Sequence, residues 1–443
     1  MNMLGPRNAA DLKSICPECL QVVPAFLRET ATELLLSKSC QVHGTFETPV
    51  ATDFAAYRRI AGGQRQVKLP LRFGAAPGKG CPDDCGLCPL HDQHTCLAIL
   101  EITTRCNLEC PICLSSSSLS GEDLSTDRAK LVLNSLIAKE GQAPSLQLSG
   151  GEPALHGQLV EIIETAASLG FTKIEIDTNG LCLAADPHLG ERLKEAGLTG
   201  VYLQMDSLRP DVCQILRGQD LVDRKLRAIE NCQMAGLQVV LSVTVVPALN
   251  DHLLWEMVLF GVEKRLTGIN FQSLTLSGRV PESLFNHSSR FTQTHFRRAL
   301  EEQSGGAIKA DELVPIPCPD PRCGALSYVL IRKGRLLPLS RLVGVETLLS
   351  PTADLCDWGQ LIWQLGESEC GCLRCCPPGG ADPPAAFGGI LVESDFFCIG
   401  YHGMMDAYDF DLERVRRCCV HELTPEAKLI PFCLYNVKYR RRK

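Results

Sequence analysis

The sequence has no apolar run long enough to span a membrane, because charged residues interrupt every hydrophobic segment before it reaches that length. Residues 1–13 also lack an apolar core of signal-peptide length. An excess of basic residues is missing too, since the net charge is -7, so the chain as a whole is not expected to attract nucleic acid. From these absences we expect a cytoplasmic protein without a nucleic-acid partner.

The tail at residues 438–443 departs from this charge balance. Its lysines and arginines would suit a phosphate group or an anionic membrane surface, which leaves peripheral membrane contact open. A solvated chain terminus is the simpler interpretation.

Length and composition describe an ordinary globular chain, except for cysteine. With 443 residues, 45% hydrophobic and 21% charged, the sequence can build two or three domains. It carries 24 cysteines, and a reducing cytoplasm disfavours disulfides. Their clustered spacing therefore indicates metal sites.

Three cysteines follow a predicted strand at a C-x3-C-x2-C spacing. They are Cys106, Cys110 and Cys113, and the apolar, β-branched strand before them is Leu97–Thr103. Three thiolates can hold three irons of a four-iron cluster, which leaves the fourth iron open, whereas an electron-carrying cluster is normally closed by four thiolates. The loop therefore indicates a catalytic cluster, with a zinc knuckle or unrelated buried thiols as the alternative.

A second triplet with the same spacing precedes this loop. It consists of Cys81, Cys85 and Cys88, and Cys96 follows eight residues later as a thiol that could close an auxiliary cluster. The histidines between them are interpreted as neighbours and not ligands, because thiolate suits an iron-sulfur cluster better than imidazole does.

The N-terminal region carries two knuckles joined by two predicted short strands. Cys16 and Cys19 form the first knuckle, and Cys40 and His43 form the second. Four such ligands make a tetrahedral site for one zinc or one iron, and their spacing does not decide between the two metals. A chance pairing of thiols is the alternative.

From residue 97 onward, strand-like and helix-like segments alternate six times. This pattern predicts an α/β protein built on a partial, TIM-like (β/α)6 barrel with a parallel sheet. The predicted strands are 97–103, 145–148, 173–176, 201–203, 238–245 and 268–272. The predicted helices are 124–139, 159–169, 188–196, 224–235 and 253–263.

Polar motifs follow the predicted strands, at the barrel end where chemistry gathers. Gly150 and Gly151 would let the backbone approach a ligand closely, and Glu152 could pair with an ammonium group. Asn179 and Gln204 are amides suited to hydrogen-bonding ribose or carboxylate groups. Ordinary turn chemistry is the alternative for the glycines and for Asn179.

The cysteines at 106, 110 and 113 and the Gly-Gly-Glu motif resemble the core motifs of the radical S-adenosylmethionine (SAM) enzymes, over about residues 97–276. The resemblance implies a [4Fe-4S] cluster whose open iron is chelated by SAM. It implies that one electron cleaves SAM to methionine and a 5'-deoxyadenosyl radical, which abstracts a hydrogen atom from the substrate. It also implies an electron donor such as ferredoxin or flavodoxin.

The whole chain is similar to the archaeal tetraether lipid synthase group, whose members have also been described as radical SAM methylases of a hydroxymethyl-dihydropterin. The similarity rests on the N-terminal knuckles and on residues 80–111, 318–323 and 404–436. It implies one mononuclear iron or zinc and one or two auxiliary [4Fe-4S] clusters. The ligands implied for the last of these are Cys318, Cys323, one or both of Cys418 and Cys419, and Cys433, although Cys318 and Cys323 are also compatible with binding nothing.

These resemblances predict four segments. They are a rubredoxin-like or zinc-ribbon-like domain at 1–72, an auxiliary-cluster segment at 73–96, the radical SAM core at 97–305 and a C-terminal auxiliary-cluster domain at 306–443. The cysteine-rich run at 370–376 departs from the pattern of the group.

The first functional hypothesis is a radical enzyme that functionalises an unactivated carbon, for example by coupling lipid chains through a carbon–carbon bond. The alternative enzyme is a methylase of a pterin or another small heterocycle, so the substrate is a small molecule or a lipid. A multi-cluster electron carrier and a zinc-stabilised binding module are alternatives from other classes. A carrier would need neither the open three-thiol loop nor the Gly-Gly-Glu motif.

Overall fold

A computed structural model describes residues 12–63, 67–76, 78–284, 286–316, 318–332, 335–343 and 395–440. The cysteine-rich run at 370–376 and the end of the basic tail lie outside these described residues. Within them the strands form one sheet of four strands and one of twelve.

The four-stranded sheet is an antiparallel meander at the N-terminus. Its own buried cluster is small and consists of Cys16, Val23 and Cys40, whereas Ile15 packs against C-terminal residues such as Phe410. A metal at these cysteines would therefore add needed stability. A helix follows, and the Asp53 side chain caps it by accepting a hydrogen bond from the Ala56 N–H. The elements are β1 (Lys13–Ile15), β2 (Val22–Glu29), β3 (Leu34–Cys40), β4 (Gly44–Ala51) and α1 (Phe54–Ala61).

The six predicted parallel strands all form, and they pair in sequence order. They are β5 (Leu97–Thr103), β6 (Ser145–Gly150), β7 (Ile174–Thr178), β8 (Gly200–Gln204), β9 (Gln238–Val245) and β10 (Gly268–Ser273). Helices connect them: α2 (Thr126–Glu140), α3 (Leu159–Ser168), α4 (Leu181–Ala185), α5 (Leu189–Glu195), α6 (Pro210–Arg217), α7 (Val222–Met234) and α8 (Leu254–Glu263). The short helices α4 and α6 were not predicted.

The two faces of this sheet differ in polarity. On the outer face, strand residues such as Leu100, Leu148 and Ile176 are fully buried and join the hydrophobic core shared with the helices. Burial of each such side chain stabilises the fold by roughly 1.5–3 kcal/mol relative to leaving it exposed. The side chains of the inner face alternate with them along each strand. Its polar members include Glu101, Gln147, Ser149, Glu175, Asp177, Tyr202, Gln204, Ser242, Thr244, Asn270, Gln272, His402 and Glu422.

Strands from the C-terminal segment extend the parallel series at both edges. The strand β14 pairs in parallel with β10, and β15 pairs in parallel with β5. The predicted C-terminal domain at 306–443 therefore shares a sheet with the barrel. The remaining elements are α9 (Gln293–Gln303), β11 (Val314–Pro315), β12 (Gly324–Arg332), β13 (Arg335–Pro338), α10 (Ser340–Val343), β14 (Phe396–His402), α11 (Leu412–Arg416), β15 (Val420–Leu423), β16 (Leu429–Pro431) and α12 (Phe432–Leu434).

None of the helices in the described part of the chain combines the length and the hydrophobicity that crossing a bilayer requires.

Candidate active site

The loop that carries Cys106, Cys110 and Cys113 leaves the end of β5 and is fixed by backbone contacts. The Cys106 N–H donates to the Ser118 carbonyl at 2.7 Å. Cys113 exchanges two backbone hydrogen bonds of 2.9 Å with Arg279, whose side-chain Nε also donates to the Cys110 carbonyl at 2.7 Å. The segment that follows β10 therefore holds the loop in place.

The three thiols influence one another electrostatically. Burial raises the pKa of the Cys106 thiol to about 11, and repulsion from Glu152, Cys110 and Cys113 adds to this. The Leu108 N–H lies 3.4 Å from the Cys106 sulfur. A thiol buried like that of Cys106 stays protonated unless a metal binds its thiolate form. Three thiols on one loop, with an N–H donor at the sulfur of Cys106, fit an iron-sulfur cluster, whose sulfurs accept such hydrogen bonds.

Gly150 and Gly151 are required by the close approach of β6 to the cysteine loop. A Cβ atom at Gly150 would overlap the Thr103 carbonyl, and one at Gly151 would overlap that of Arg105. Gly150 also has a φ of 125°, which disfavours other residues. The Gly151 N–H donates to the Thr103 carbonyl at 2.8 Å. The glycines therefore join the two strand ends.

The Glu152 side chain is fully buried, and its oxygens are already used by the protein. They accept hydrogen bonds from the Ala154 N–H at 3.0 Å, the Thr178 hydroxyl at 2.6 Å and the Asn179 N–H at 2.7 Å. The structure therefore gives Glu152 a positioning role that fixes the end of β7. Its direct pairing with an ammonium group stays a prediction.

Asn179 and Gln204 are brought together by a lysine that the sequence analysis did not identify. The Lys225 ammonium donates to the Asn179 carbonyl at 2.5 Å and to the Gln204 Oε1 at 2.9 Å. Burial, together with the charge of Arg217, lowers the pKa of Lys225 to about 8. Lys225 lies one helical turn before the buried Ala228 and Ile229 of α7. This spacing places it on the buried face of the helix, which is the sequence feature that could have identified it.

An ion pair continues this polar network to the cysteine loop. The Gln204 amide donates to Asp206 at 2.6 Å, and the Arg217 guanidinium donates to both Asp206 oxygens at 2.6 and 2.9 Å. Arg217 also donates to the Ile112 carbonyl at 3.1 Å, and its charge opposes the rise that burial causes in the pKa of Cys110. The ends of β7 and β8 are thereby linked to the thiols.

The second triplet forms its own group near the C-terminal elements. Burial, followed by repulsion from Cys81 and Cys88, raises the pKa of Cys85 to about 12. The three residues line a small cavity together with His91 and Pro431. This arrangement is compatible with the predicted auxiliary site.

The structure groups Cys96 with Cys318 and Cys419, whereas the sequence grouped it with the second triplet. Contacts with Cys318 and Cys96, together with burial, raise the pKa of Cys419 well above its usual range. The Cys96 N–H donates to the Cys419 carbonyl at 2.8 Å. The His94 Nε2 lies 3.4 Å from the Cys96 sulfur, so this histidine is a close neighbour of the group.

The remaining predicted ligands form a third group. Burial, then repulsion from Cys433 and Cys323, raises the pKa of Cys418. The Arg414 Nε lies 3.4 Å from the Cys323 sulfur, and the Met405 N–H lies 3.3 Å from that of Cys433. The single set expected from Cys318, Cys323, Cys418, Cys419 and Cys433 thus divides into two, and metal binding by each stays a prediction.

The four N-terminal residues come together as expected. The ligand atoms of Cys16, Cys19, Cys40 and His43 all lie within 4.8 Å of one another. The His43 Nδ1 is 3.5 Å from the sulfurs of both Cys16 and Cys40. Three thiols and one imidazole around one point suit a tetrahedral metal.

Replacing Cys40 with serine is expected to release one metal ion per chain and to make the N-terminal sheet sensitive to proteolysis. The reason is that a small core depends on the metal for much of its folding free energy. Metal analysis and limited proteolysis measure the two effects. Cys232→Ala, which changes a buried thiol in α7, serves as the control, and full metal retention by Cys40→Ser would contradict the assignment.

Comparison with known families gives two matches. Residues 100–261 match the sequence model of the Radical SAM superfamily. Residues 10–52 match that of the HMPTM N-terminal zinc ribbon domain. The first covers the cysteine loop and most of the parallel strands, and the second covers the four-stranded sheet.

Individual relatives differ in how much of the chain they cover. The sequence is 31% identical to the 7,8-dihydro-6-hydroxymethylpterin dimethyltransferase of Methanocaldococcus jannaschii, over 96% of this chain and 93% of that protein. It is 32% identical to a probable GTP 3',8-cyclase of Methanothermobacter marburgensis, over 39% of this chain and 56% of that protein. Among solved structures, SuiB of Streptococcus suis bound to S-adenosylmethionine aligns over 48% of each chain, with a TM-score of 0.39 and 15% identity.

Proposed function

This chain belongs to the radical SAM superfamily, and we propose that it transfers methyl groups to a reduced pterin. The relative that aligns over almost the full length is named for this activity. The alignment includes the N-terminal metal domain and the C-terminal segment as well as the barrel. A shared arrangement of every segment supports a shared class of reaction.

The observation that carries the proposal is the polar inner face of the barrel. The Asn270 and Gln272 amides donate to the Tyr202 hydroxyl at 2.5 and 2.6 Å. Burial, together with repulsion from Glu152, raises the pKa of the Asp177 carboxyl to about 6. Such groups can hydrogen-bond the nitrogens and carbonyl of a heterocycle.

The same face is poorly suited to a lipid chain. An alkyl chain gains about 0.8 kcal/mol per methylene from burial against apolar surface, and it would leave polar side chains without partners. The sequence favoured lipid coupling first and pterin methylation second. The polar inner face reverses that order.

The thiols of Cys106, Cys110 and Cys113 would hold the [4Fe-4S] cluster. Together with SAM, that group supplies a one-electron cleavage that yields methionine and a 5'-deoxyadenosyl radical. The protein's own contribution is to fix the geometry around it. Glu152 holds the end of β7, and Lys225 holds the Asn179 backbone and the Gln204 side chain. Asn179 and Gln204 are proposed to bind SAM.

The other cysteine groups are proposed to hold auxiliary clusters that carry electrons. An external donor of the ferredoxin or flavodoxin type would supply them. In the reaction, a carbon–hydrogen bond of the pterin is replaced by a carbon–methyl bond. The hydrogen leaves in 5'-deoxyadenosine, and a one-carbon donor supplies the methyl group.

The proposal is tested by expressing the chain in an anaerobic host and measuring the mass of the cellular pterins. We expect a 6-hydroxymethylpterin that has gained one methylene unit per transferred group, because methyl replaces hydrogen. A Cys110→Ala chain provides the background level. Unchanged pterins from a chain that forms 5'-deoxyadenosine in vitro would reject the pterin, and altered membrane lipids in that strain would restore lipid coupling.

A further inference from the structure

One buried carboxyl on the inner face has no adequate partner among the residues that the structure describes. Glu422 lies in the middle of β15, opposite Ile99 of β5, and only 1% of its surface is exposed. No donor in the described part of the chain forms a hydrogen bond of normal geometry with either of its side-chain oxygens. Buried polar groups are nearly always satisfied, so an exception at the centre of a barrel points to a ligand.

The donors near Glu422 are already used by its neighbour. Arg440 forms an ion pair of 2.5 Å with Glu101, and the Tyr435 hydroxyl lies 3.3 Å from the same carboxylate. Arg440 and the Glu101 backbone N–H favour the charged form of Glu422, but burial and the Glu101 charge outweigh them and raise its pKa well above the usual range. Within the described ranges, Glu422 therefore lacks a cation of its own.

The other carboxyls of the inner face differ in this respect. Asp177 lies 3.3 Å from the Ser149 hydroxyl, which donates to it. The pKa of Glu175 is raised by burial, while Lys173 and a hydrogen bond from the Gln147 side chain oppose this rise. Among the described carboxyls of this face, Glu422 is thus the one whose two oxygens are both available to a ligand.

The position of Glu422 sets the orientation of such a ligand. Ile99 lies four residues before Thr103, where β5 ends at the cysteine loop, so Glu422 sits about 13 Å from the mouth along the strand. A pterin carries two adjacent N–H donors, on the ring N3 and on the 2-amino group. These lie at the opposite end of the molecule from carbons 6 and 7.

We propose that Glu422 determines substrate specificity by accepting hydrogen bonds from the N3–H and 2-amino groups of the pterin. Two N–H donors from a ligand would lower the raised pKa of this buried carboxyl and hold it as a carboxylate. The planar carboxylate then matches the two parallel N–H donors, as it does in a bidentate pair with arginine. Carbons 6 and 7 then point toward the loop of Cys106, Cys110 and Cys113. This inference rests on the proposed function, which supplies the class of substrate.

The test measures dissociation constants by calorimetry with the anaerobically reconstituted full chain. The probes are 6-hydroxymethylpterin and 6-hydroxymethyllumazine, in which a carbonyl replaces the 2-amino group. The wild-type protein should prefer the pterin by at least about tenfold, because the lumazine carbonyl would face a carboxylate. Glu422→Gln should reverse the preference, because a carboxamide can donate to that carbonyl and accept from N3–H.

Two further variants separate specificity from folding. Glu426→Gln makes the same chemical change at an exposed position of the turn between β15 and β16, and it should keep the wild-type preference. Glu422→Asp retains a carboxylate, so it should bind the pterin more weakly but still prefer it to the lumazine.

An unchanged pterin preference in Glu422→Gln would overturn the assignment of Glu422 while leaving the pterin as substrate. If the wild-type chain forms 5'-deoxyadenosine but binds neither probe, the proposed function itself fails, and the inference fails with it.

Discussion

Replacing Cys110 with alanine is expected to reduce 5'-deoxyadenosine formation to the level of an enzyme-free control. Two thiols cannot hold a cluster that needs three, and the loop has no spare cysteine at this spacing. Iron at the other cysteine groups should remain, because those groups lie on separate elements. The measurement is an anaerobic incubation with SAM and dithionite, combined with iron and sulfide analysis of the purified variant.

Cys213→Ala is the matched control for this variant. Cys213 is a buried cysteine of α6 whose thiol lies 3.7 Å from the Ser207 carbonyl, to which it donates. Its removal should leave both SAM cleavage and iron content unchanged. If Cys110→Ala still cleaves SAM, the reactive cluster belongs to Cys81, Cys85 and Cys88, and the polar network at the ends of β7 and β8 needs another explanation.

The sequence was most informative where structure follows from local pattern. The strands β5 and β9 begin and end where predicted, and Ser125 caps α2 by accepting from the Arg128 N–H. Local spacing also predicted the grouping of the four N-terminal residues, whose ligand atoms the structure brings within 4.8 Å of one another. Hydrophobic periodicity and short ligand spacings are contained within a few residues, so no tertiary information is needed to read them.

The sequence was least informative where distant segments meet. The strand β15 has four residues, and its pairing with β5 joins segments more than 300 residues apart. Nothing in its short sequence shows that Glu422 would enter the barrel. The grouping of the cysteines was missed for the same reason, because Cys96, Cys318 and Cys419 come together only through the fold. The length of a strand and the alternation of its apolar and polar residues do not reveal which distant strand it pairs with.

The auxiliary segments therefore contribute to the barrel itself. Two strands that follow the matched superfamily region, β14 and β15, pair with the sixth and first strands of the parallel series, β10 and β5. They bring His402 and Glu422 to the inner face, next to residues of the shared core. This arrangement provides a physical reason why members of a superfamily with one cofactor site can differ in substrate: the added strands carry side chains that the common core does not.

Replacing Arg217 with glutamine is expected to lower the free energy of unfolding by about 3–5 kcal/mol, because Asp206 would stay buried without its cation. The side chains of Arg217 and Asp206 are only 10% and 1% exposed, and their shortest contact is 2.6 Å. The midpoint of urea unfolding measures the change. Arg209→Gln is the matched control, since its pair with Glu256 is exposed at 3.3 Å and should contribute less than about 1 kcal/mol.

The double change Arg217→Gln with Asp206→Asn tests the cause of that loss. If an uncompensated buried charge is responsible, removing the carboxylate should recover a large part of the stability. If the double variant is no more stable than Arg217→Gln, the loss arises instead from the bonds of Arg217 to the Ile112 carbonyl and Thr244. Because Arg217 donates to the Ile112 carbonyl of the cysteine loop and its charge acts on Cys110, both variants should shift the absorption of the cluster predicted to bind this loop, whereas Arg209→Gln should not.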